Sequence, residues 1–205
     1  MFDRIALKIT KPAVDRVARK IVRYGFNADQ VTLIAFVFGI FGSLLIALGL
    51  PWVGLFPMLI GRILDGLDGA VARQSVQTDR GAFMDIALDF LFYASVPLAF
   101  AIAAPLSNAL PAAILLAAFV GTGTSFLAYA TLAEKRGEKS TAYPSKSFYY
   151  LGGLTEGTET IATFTLMCLF PQHFALLAYI YATLCTLTTI TRIIAGWHNF
   201  AAVKK

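Results

Sequence analysis

The sequence predicts an all-α, polytopic membrane protein: six transmembrane helices preceded by an N-terminal amphipathic interfacial helix. Three observations carry this. The 205 residues are 58% hydrophobic and only 14% charged, against roughly 25% charge in a soluble domain. The uncharged run from Phe90 to Ala133 is too long for one crossing, which needs about 20 helical residues, so it must turn back. All 17 lysines and arginines fall in alternate connections, the pattern of a chain that keeps its positive charge on the cytoplasmic side.

Taken in order, Pro12–Tyr24 sets Val14, Val17, Ala18, Ile21 and Val22 at helical spacing, with Arg16, Arg19, Lys20 and Arg23 elsewhere around the helix. Pro12 suits a first helical position and Gly25 a C-terminal stop. This segment, within 1–26, is expected to lie on the anionic inner leaflet, the alternative being a cytosolic helix docked on the protein's own loops. The six crossings are expected at 31–50, 52–75, 81–103, 109–133, 148–170 and 172–197, forming a bundle over 31–198. A turn is expected at Ala104–Asn108 and another at Pro171–His173. The loops are too short for a second domain, so 1–205 reads as a single membrane domain.

The loops near Gly49–Pro51, Ala104–Pro111 and Pro171–His173 hold no lysine, arginine, aspartate or glutamate. Both termini are therefore expected in the cytoplasm, in an integral protein of the inner, cytoplasmic membrane. The net charge of +5 then describes a membrane-facing surface; without a soluble basic domain it does not argue for nucleic acid. Met1–Arg23 lacks the uncharged stretch of a cleavable signal. Cys168 and Cys185 fall inside predicted crossings without a partner motif and read as packing residues. Gly39-x-x-x-Ser43 and Gly121-x-x-x-Ser125 are spacings that let helices approach closely.

The chemistry concentrates between helices two and three. Asp65, Asp68, Gly69, Ala72 and Arg73 fall within one arc of roughly 140° on a helix. Gly81, Asp85 and Asp89 stand at i, i+4 and i+8 on the next helix. A carboxylate at membrane depth costs about 2.5–3.5 kcal/mol on insertion scales, so four together need more compensation than Arg73 supplies. Two divalent cations would balance them, and oxygen-only ligands favour magnesium, manganese or calcium over zinc. Gly69, Ala72 and Gly81 leave room for a flat or phosphorylated ligand to reach the backbone. On the residues alone two alternatives stay open: aspartates paired with arginines at a solvated helix end, and a divalent-cation transporter or channel.

The segment resembles the CDP-alcohol phosphotransferases (CDP-alcohol phosphatidyltransferases) of class-I type. Their signature is Asp-x-x-Asp-Gly-x-x-Ala-Arg, a spacer of seven or eight, then Gly-x-x-x-Asp-x-x-x-Asp. Asp65, Asp68, Gly69, Ala72, Arg73, Gly81, Asp85 and Asp89 match it throughout, with a seven-residue spacer. One departure precedes the first crossing, where such proteins often read Pro-Asn-x-x-Thr and this chain has Ala28-Asp29-Gln30-Val31-Thr32.

The resemblance implies that the four aspartates hold one or two Mg2+ or Mn2+ ions, which hold the diphosphate of a CDP-linked donor such as CDP-diacylglycerol. It implies that Asp68, Gly69, Ala72, Arg73 and Gly81 line the nucleotide pocket. Asp89, with Asp85 beside it, would be catalytic: Asp89 takes the proton of an alcohol that attacks phosphorus and expels CMP, yielding a phospholipid. A homodimer is also implied. For the acceptor, Glu156 and Glu159 would suit a cationic amino-alcohol, and the short piece Gly153-Leu154-Thr155-Glu156-Gly157 resembles choline and ethanolamine phosphotransferases. A phosphorylated acceptor would instead draw on Lys135, Arg136, Lys139, Lys146 and Arg192, which otherwise read as a solvated rim. His173 and His198 have no metal-ligand spacing to a second histidine or cysteine.

Overall fold

A computed structural model describes residues 3–75, 77–137 and 154–201, with side chains from residue 12 onward. The described residues are helical with no strand. α1 runs Asp3–Arg23, α2 Ala28–Ala47, α3 Pro51–Gln74, α4 Asp79–Ala103, α5 Pro105–Lys135, α6 Gly157–Leu169 and α7 Phe174–Asn199, with a 3-10 turn at Pro171–His173.

Capping chemistry places most of the ends. Asn27 and Gln30 form a reciprocal box at the start of α2: the Asn27 side chain accepts from the Gln30 N–H at 2.9 Å, and the Gln30 side chain accepts from the Asn27 N–H at 3.0 Å. The helix therefore starts three residues before the expected Val31. Thr78 caps α4 by accepting from the Gly81 N–H at 3.1 Å. The expected turn at Ala104–Asn108 shrinks to Ala104, because Pro105 starts α5 and Asn108 donates 3.1 Å back to the Phe100 carbonyl. Gly25, at φ +85°, ends α1 as expected.

Two expectations need correction. α1 begins at Asp3 rather than Pro12, and Pro12 lies inside it; a proline forfeits one backbone hydrogen bond but does not oblige the preceding turns to uncoil. The sequence places the start of the fifth membrane helix at 148, and 148–153 lies outside the described residues. Leu154–Glu156 are not helical. Glu156 is extended (φ −102°, ψ −175°) and its carbonyl accepts from the Thr160 N–H at 3.0 Å, so α6 starts at Gly157.

Among the described residues, four helices are long and apolar enough to cross a membrane: α2, α4, α5 and the continuous Pro171–Asn199 segment. α3 has 24 residues, ample length, but carries Arg62, Asp65 and Asp68. The 13 residues of α6 rise about 20 Å, short of a core of about 30 Å. Cys168 and Cys185 are free and buried.

α2 and α3 meet backbone to backbone. A Cβ on Gly54 would stand 2.5 Å from the Gly42 carbonyl oxygen, and one on Gly61 2.7 Å from that of Ala35. Gly39 faces the Phe92 ring, and Ser43 shares a 2.7 Å hydrogen bond with Ser95 of α4, so the small-residue spacing is used for packing. Gly54→Ala is expected to lower the detergent melting midpoint, since overpacking costs about 1–3 kcal/mol. Gly66→Ala, whose Cβ would meet nothing within 4 Å, should not lower it. Heating followed by size-exclusion chromatography compares the two.

The core behind this pair is aromatic. Phe92, Phe164 and Phe174 are fully buried, and Phe100 stacks on Phe174 with centroids 4.5 Å apart. α1 packs its apolar face on the charged end of α3: Ala18 is fully buried, and Val14, Ile21 and Val22 meet Ala70, Val71 and Leu64. Arg16, Arg19, Lys20 and Arg23 stay exposed.

Candidate active site

The end of α3 and the start of α4 bring the sequence-predicted carboxylates together. One ligand oxygen from each of Asp65, Asp68 and Asp85 lies within 4.8 Å of the others. Asp68 is buried, and its Oδ2 accepts from the Thr32 hydroxyl of α2 at 2.5 Å. Asp89 sits one turn deeper on α4. Its Oδ1 accepts from Arg62 Nη1 at 2.6 Å, and the same nitrogen stands 3.4 Å from Asp65 Oδ2.

Three carboxylates in one such cluster repel, and among the described residues the Arg62 guanidinium stands 3.4 Å from Asp65. An all-oxygen donor set of this kind fits a hard divalent cation. The residues present therefore fit Mg2+ or Mn2+, with Asp65, Asp68 and Asp85 as the donors the fold assembles and Asp89 held on Arg62.

The glycines differ in what surrounds them. A Cβ on Gly69 would meet only the Arg73 guanidinium, at 3.5 Å, so its face is open. A Cβ on Gly81 would meet Asp29 Oδ1 at 2.8 Å and Thr78 Oγ1 at 3.2 Å. The space beside Gly81 is thus taken by Asp29, which Arg80 holds in an ion pair. The departure at Ala28-Asp29 therefore has a structural partner in the first turn of α4.

A cavity of about 1670 Å³ opens from the aspartates. Val14 and Val17 of α1 stand at one part of its wall, Asp65, Arg73, Asp85 and Asp89 at another, and Glu156 and Arg192 at a third. Arg192 is buried, donates from Nη1 to the Thr122 carbonyl at 3.1 Å and lies 5.5 Å from the Phe126 ring centroid. Glu156 is buried as well. Glu159 lies in the first turn of α6, three residues after Glu156. Lys146 and Lys139 lie outside the described residues. Arg136 closes the end of α7, donating to the carbonyls of Asn199 and Phe200 at 2.8 and 3.0 Å.

Residues 26–201 match the model of the CDP-alcohol phosphatidyltransferases. The chain belongs to that family. The family carries the reaction class: transfer of a substituted phosphate from a CDP-linked donor to an alcohol in phospholipid synthesis. The cation-pathway alternative falls away.

The chain is 48% identical to inner membrane protein YnjF of Escherichia coli over the full length of both. With the four apolar spans, this makes it an integral inner-membrane protein. Archaetidylinositol phosphate synthase of Pyrococcus horikoshii is 29% identical over 47% of this chain and 51% of its own. A bifunctional IPC transferase and DIPP synthase of Archaeoglobus fulgidus is 36% identical over 46% of this chain and 20% of its own. The fold is shared with phosphatidylinositol phosphate synthase of Mycobacterium tuberculosis. Its crystal structure with CDP-DAG bound superimposes with a TM-score of 0.71 over 90% of this chain and 93% of that one, at 22% identity. The same enzyme in complex with manganese and citrate gives 0.70 at 20% identity.

Two site contacts carry no mark in the sequence: Thr32 stands there as part of the departing segment, and Arg62 as one of the 17 lysines and arginines. The one available signal for Arg62 is its position three residues before Asp65, on the same helix face.

Proposed function

We propose that this CDP-alcohol phosphatidyltransferase moves a phosphatidyl group from a CDP-diacylglycerol donor to an alcohol acceptor at the cytoplasmic edge of the inner membrane. The observation that carries the reading is the gathering of Asp65, Asp68 and Asp85, with Asp65, Asp85 and Asp89 on the wall of a cavity whose other walls are largely apolar. Such a cavity accepts a lipid donor from the bilayer and a polar acceptor from the cytoplasm. Mg2+ or Mn2+, one or two ions held by Asp65, Asp68 and Asp85, would supply charge neutralisation at the diphosphate and at the departing CMP.

The protein's own residues do the rest. Asp89 receives the acceptor's hydroxyl proton as the acceptor oxygen bonds to the phosphorus that bears the lipid. The bridging P–O bond breaks, and its electron pair leaves on CMP. General-base assistance of this kind is worth about 10²–10⁴-fold. Asp85 stands one turn earlier on the same stripe as a ligand. Gly69 leaves its face open to the nucleotide, with Asp68, Ala72 and Arg73 as its other neighbours. Thr32 fixes the rotamer of Asp68. A hydrogen bond to a charged group is worth about 1.5–3 kcal/mol, so Thr32→Val should weaken Mn2+ binding at least about tenfold and Thr32→Ser should retain it. Titration of protein with Mn2+, followed by electron paramagnetic resonance, reads this directly.

For the acceptor, we place Arg192 and Glu156 at the receiving end of the cavity, with Lys146 and Glu159 as further candidates. Arg192 favours an acceptor that carries a phosphate, as the names of the inositol-phosphate-forming relatives suggest for those proteins; Glu156 favours an ammonium. The test is CMP release by purified protein from CDP-diacylglycerol across inositol phosphate, glycerol phosphate, inositol, phosphatidylglycerol, serine, ethanolamine and choline. Release with one alcohol names the product. Silence across the panel, in folded protein, would count against this donor.

The proposal includes one membrane domain with six crossings and both termini cytoplasmic, α3 and α6 completing the four clear spans, and α1 along the inner leaflet through its exposed basic face. It also includes a homodimer, supported by family resemblance; cross-linking in native membranes would test it.

A further inference from the structure

Arg62 occupies no position of the eight-residue signature, yet it ties the site's two helices together. Its side chain is 8% exposed, on α3, three residues before Asp65. From there Nη1 crosses to α4 and donates 2.6 Å to Asp89 Oδ1. The guanidinium carbon lies 4.0 Å from the centroid of Phe92, a fully buried ring three residues after Asp89. The guanidinium is thus held at two points one turn apart on the same helix, by its hydrogen bond to the carboxylate and by its place over the ring.

An aspartate without such a partner turns freely about its last bond, and both its oxygens sample the cavity. With Oδ1 engaged by a guanidinium that cannot itself swing away, the carboxylate plane is set and Oδ2 is left for other work. We propose that Arg62 is a positioning residue for the transfer: it holds Oδ1 of Asp89 so that the other carboxylate oxygen meets the acceptor hydroxyl. The inference rests on the reading of Asp89 as the base, and it assigns that oxygen its orientation from outside the signature. A lysine could keep the charge but lacks a planar group that reaches both Phe92 and Asp89.

The test compares Arg62→Gln, Arg62→Lys, Arg62→Gly and Asp89→Asn, each purified and shown to be monodisperse. Arg62→Gln is expected to lose about 10- to 100-fold in kcat, with the donor KM and Mn2+ affinity changing less than about threefold. Methylguanidine at millimolar concentration should restore turnover of Arg62→Gly several-fold and leave wild type and Asp89→Asn unchanged. If Arg62→Gln does not fold, Arg62→Lys carries the same reading: reduced kcat with Mn2+ binding kept.

Normal kcat in Arg62→Gln beside an inactive Asp89→Asn would overturn the role of Arg62 alone. Parallel loss of Mn2+ binding and turnover, with no rescue by methylguanidine, would overturn it too, by making Arg62 part of the general scaffold of the site. Turnover persisting in Asp89→Asn would instead remove the base assignment on which the inference stands.

Discussion

Asp89→Asn is expected to cut CMP release by about 10²–10⁴-fold while leaving Mn2+ binding and detergent stability near wild type. The amide keeps an oxygen that can accept the Arg62 hydrogen bond now made by Asp89 Oδ1, so the link between α3 and α4 persists. What it loses is a group that can take a proton. The carboxylate is partly exposed to the cavity, at 27%, where an acceptor hydroxyl can reach it. Steady-state assays with saturating donor separate this loss in kcat from a change in binding. Activity within a few-fold of wild type would remove Asp89 from the chemistry.

Substitution within the carboxylate cluster should act differently. Asp85→Asn removes one of the three carboxylates whose oxygens gather within 4.8 Å, and it is expected to weaken Mn2+ binding together with turnover, the latter by at least about 10²-fold. EDTA should silence wild type, and added Mn2+ or Mg2+ should restore it. The two variants are therefore distinguished by the metal titration: Asp89→Asn binds and does not turn over, whereas Asp85→Asn fails at binding first. Equal Mn2+ affinity in Asp85→Asn and wild type would contradict the assignment of Asp85 as a ligand.

Much of this site was legible in the sequence because its determinants are local. Asp65 and Asp68 on one helix face, and Asp85 and Asp89 on the next, follow from helical spacing, and the antiparallel helices bring the two faces together. The apolar spans were legible for the same reason, since length and composition decide them. What stayed hidden depends on partners far along the chain. Thr32 reaches Asp68 across 36 positions and Arg62 reaches Asp89 across 27, and no local pattern marks either pair.

The reading of Gly81 shows the same limit. Spacing suggested room for a ligand, whereas the neighbour that needs the room is Asp29 of α2. Pro12 suits a helix start, yet α1 begins at Asp3, because a proline's preference for the first turn does not stop helix from forming before it. The start of α6 moved to Gly157 because an apolar run does not reveal where the backbone becomes extended, and Glu156 became a wall of the cavity rather than a helical partner of Glu159.

The central claim can be tested without knowing the acceptor, because a transfer that expels CMP also runs backwards through the same transition state. Purified protein would be incubated with labelled CMP, Mg2+ and a total phospholipid extract from bacterial inner membranes. The account predicts that label enters a lipid-soluble, CDP-linked product, and that EDTA or Asp89→Asn abolishes the exchange. Label remaining wholly in the aqueous phase, with monodisperse protein that binds Mn2+, would contradict it.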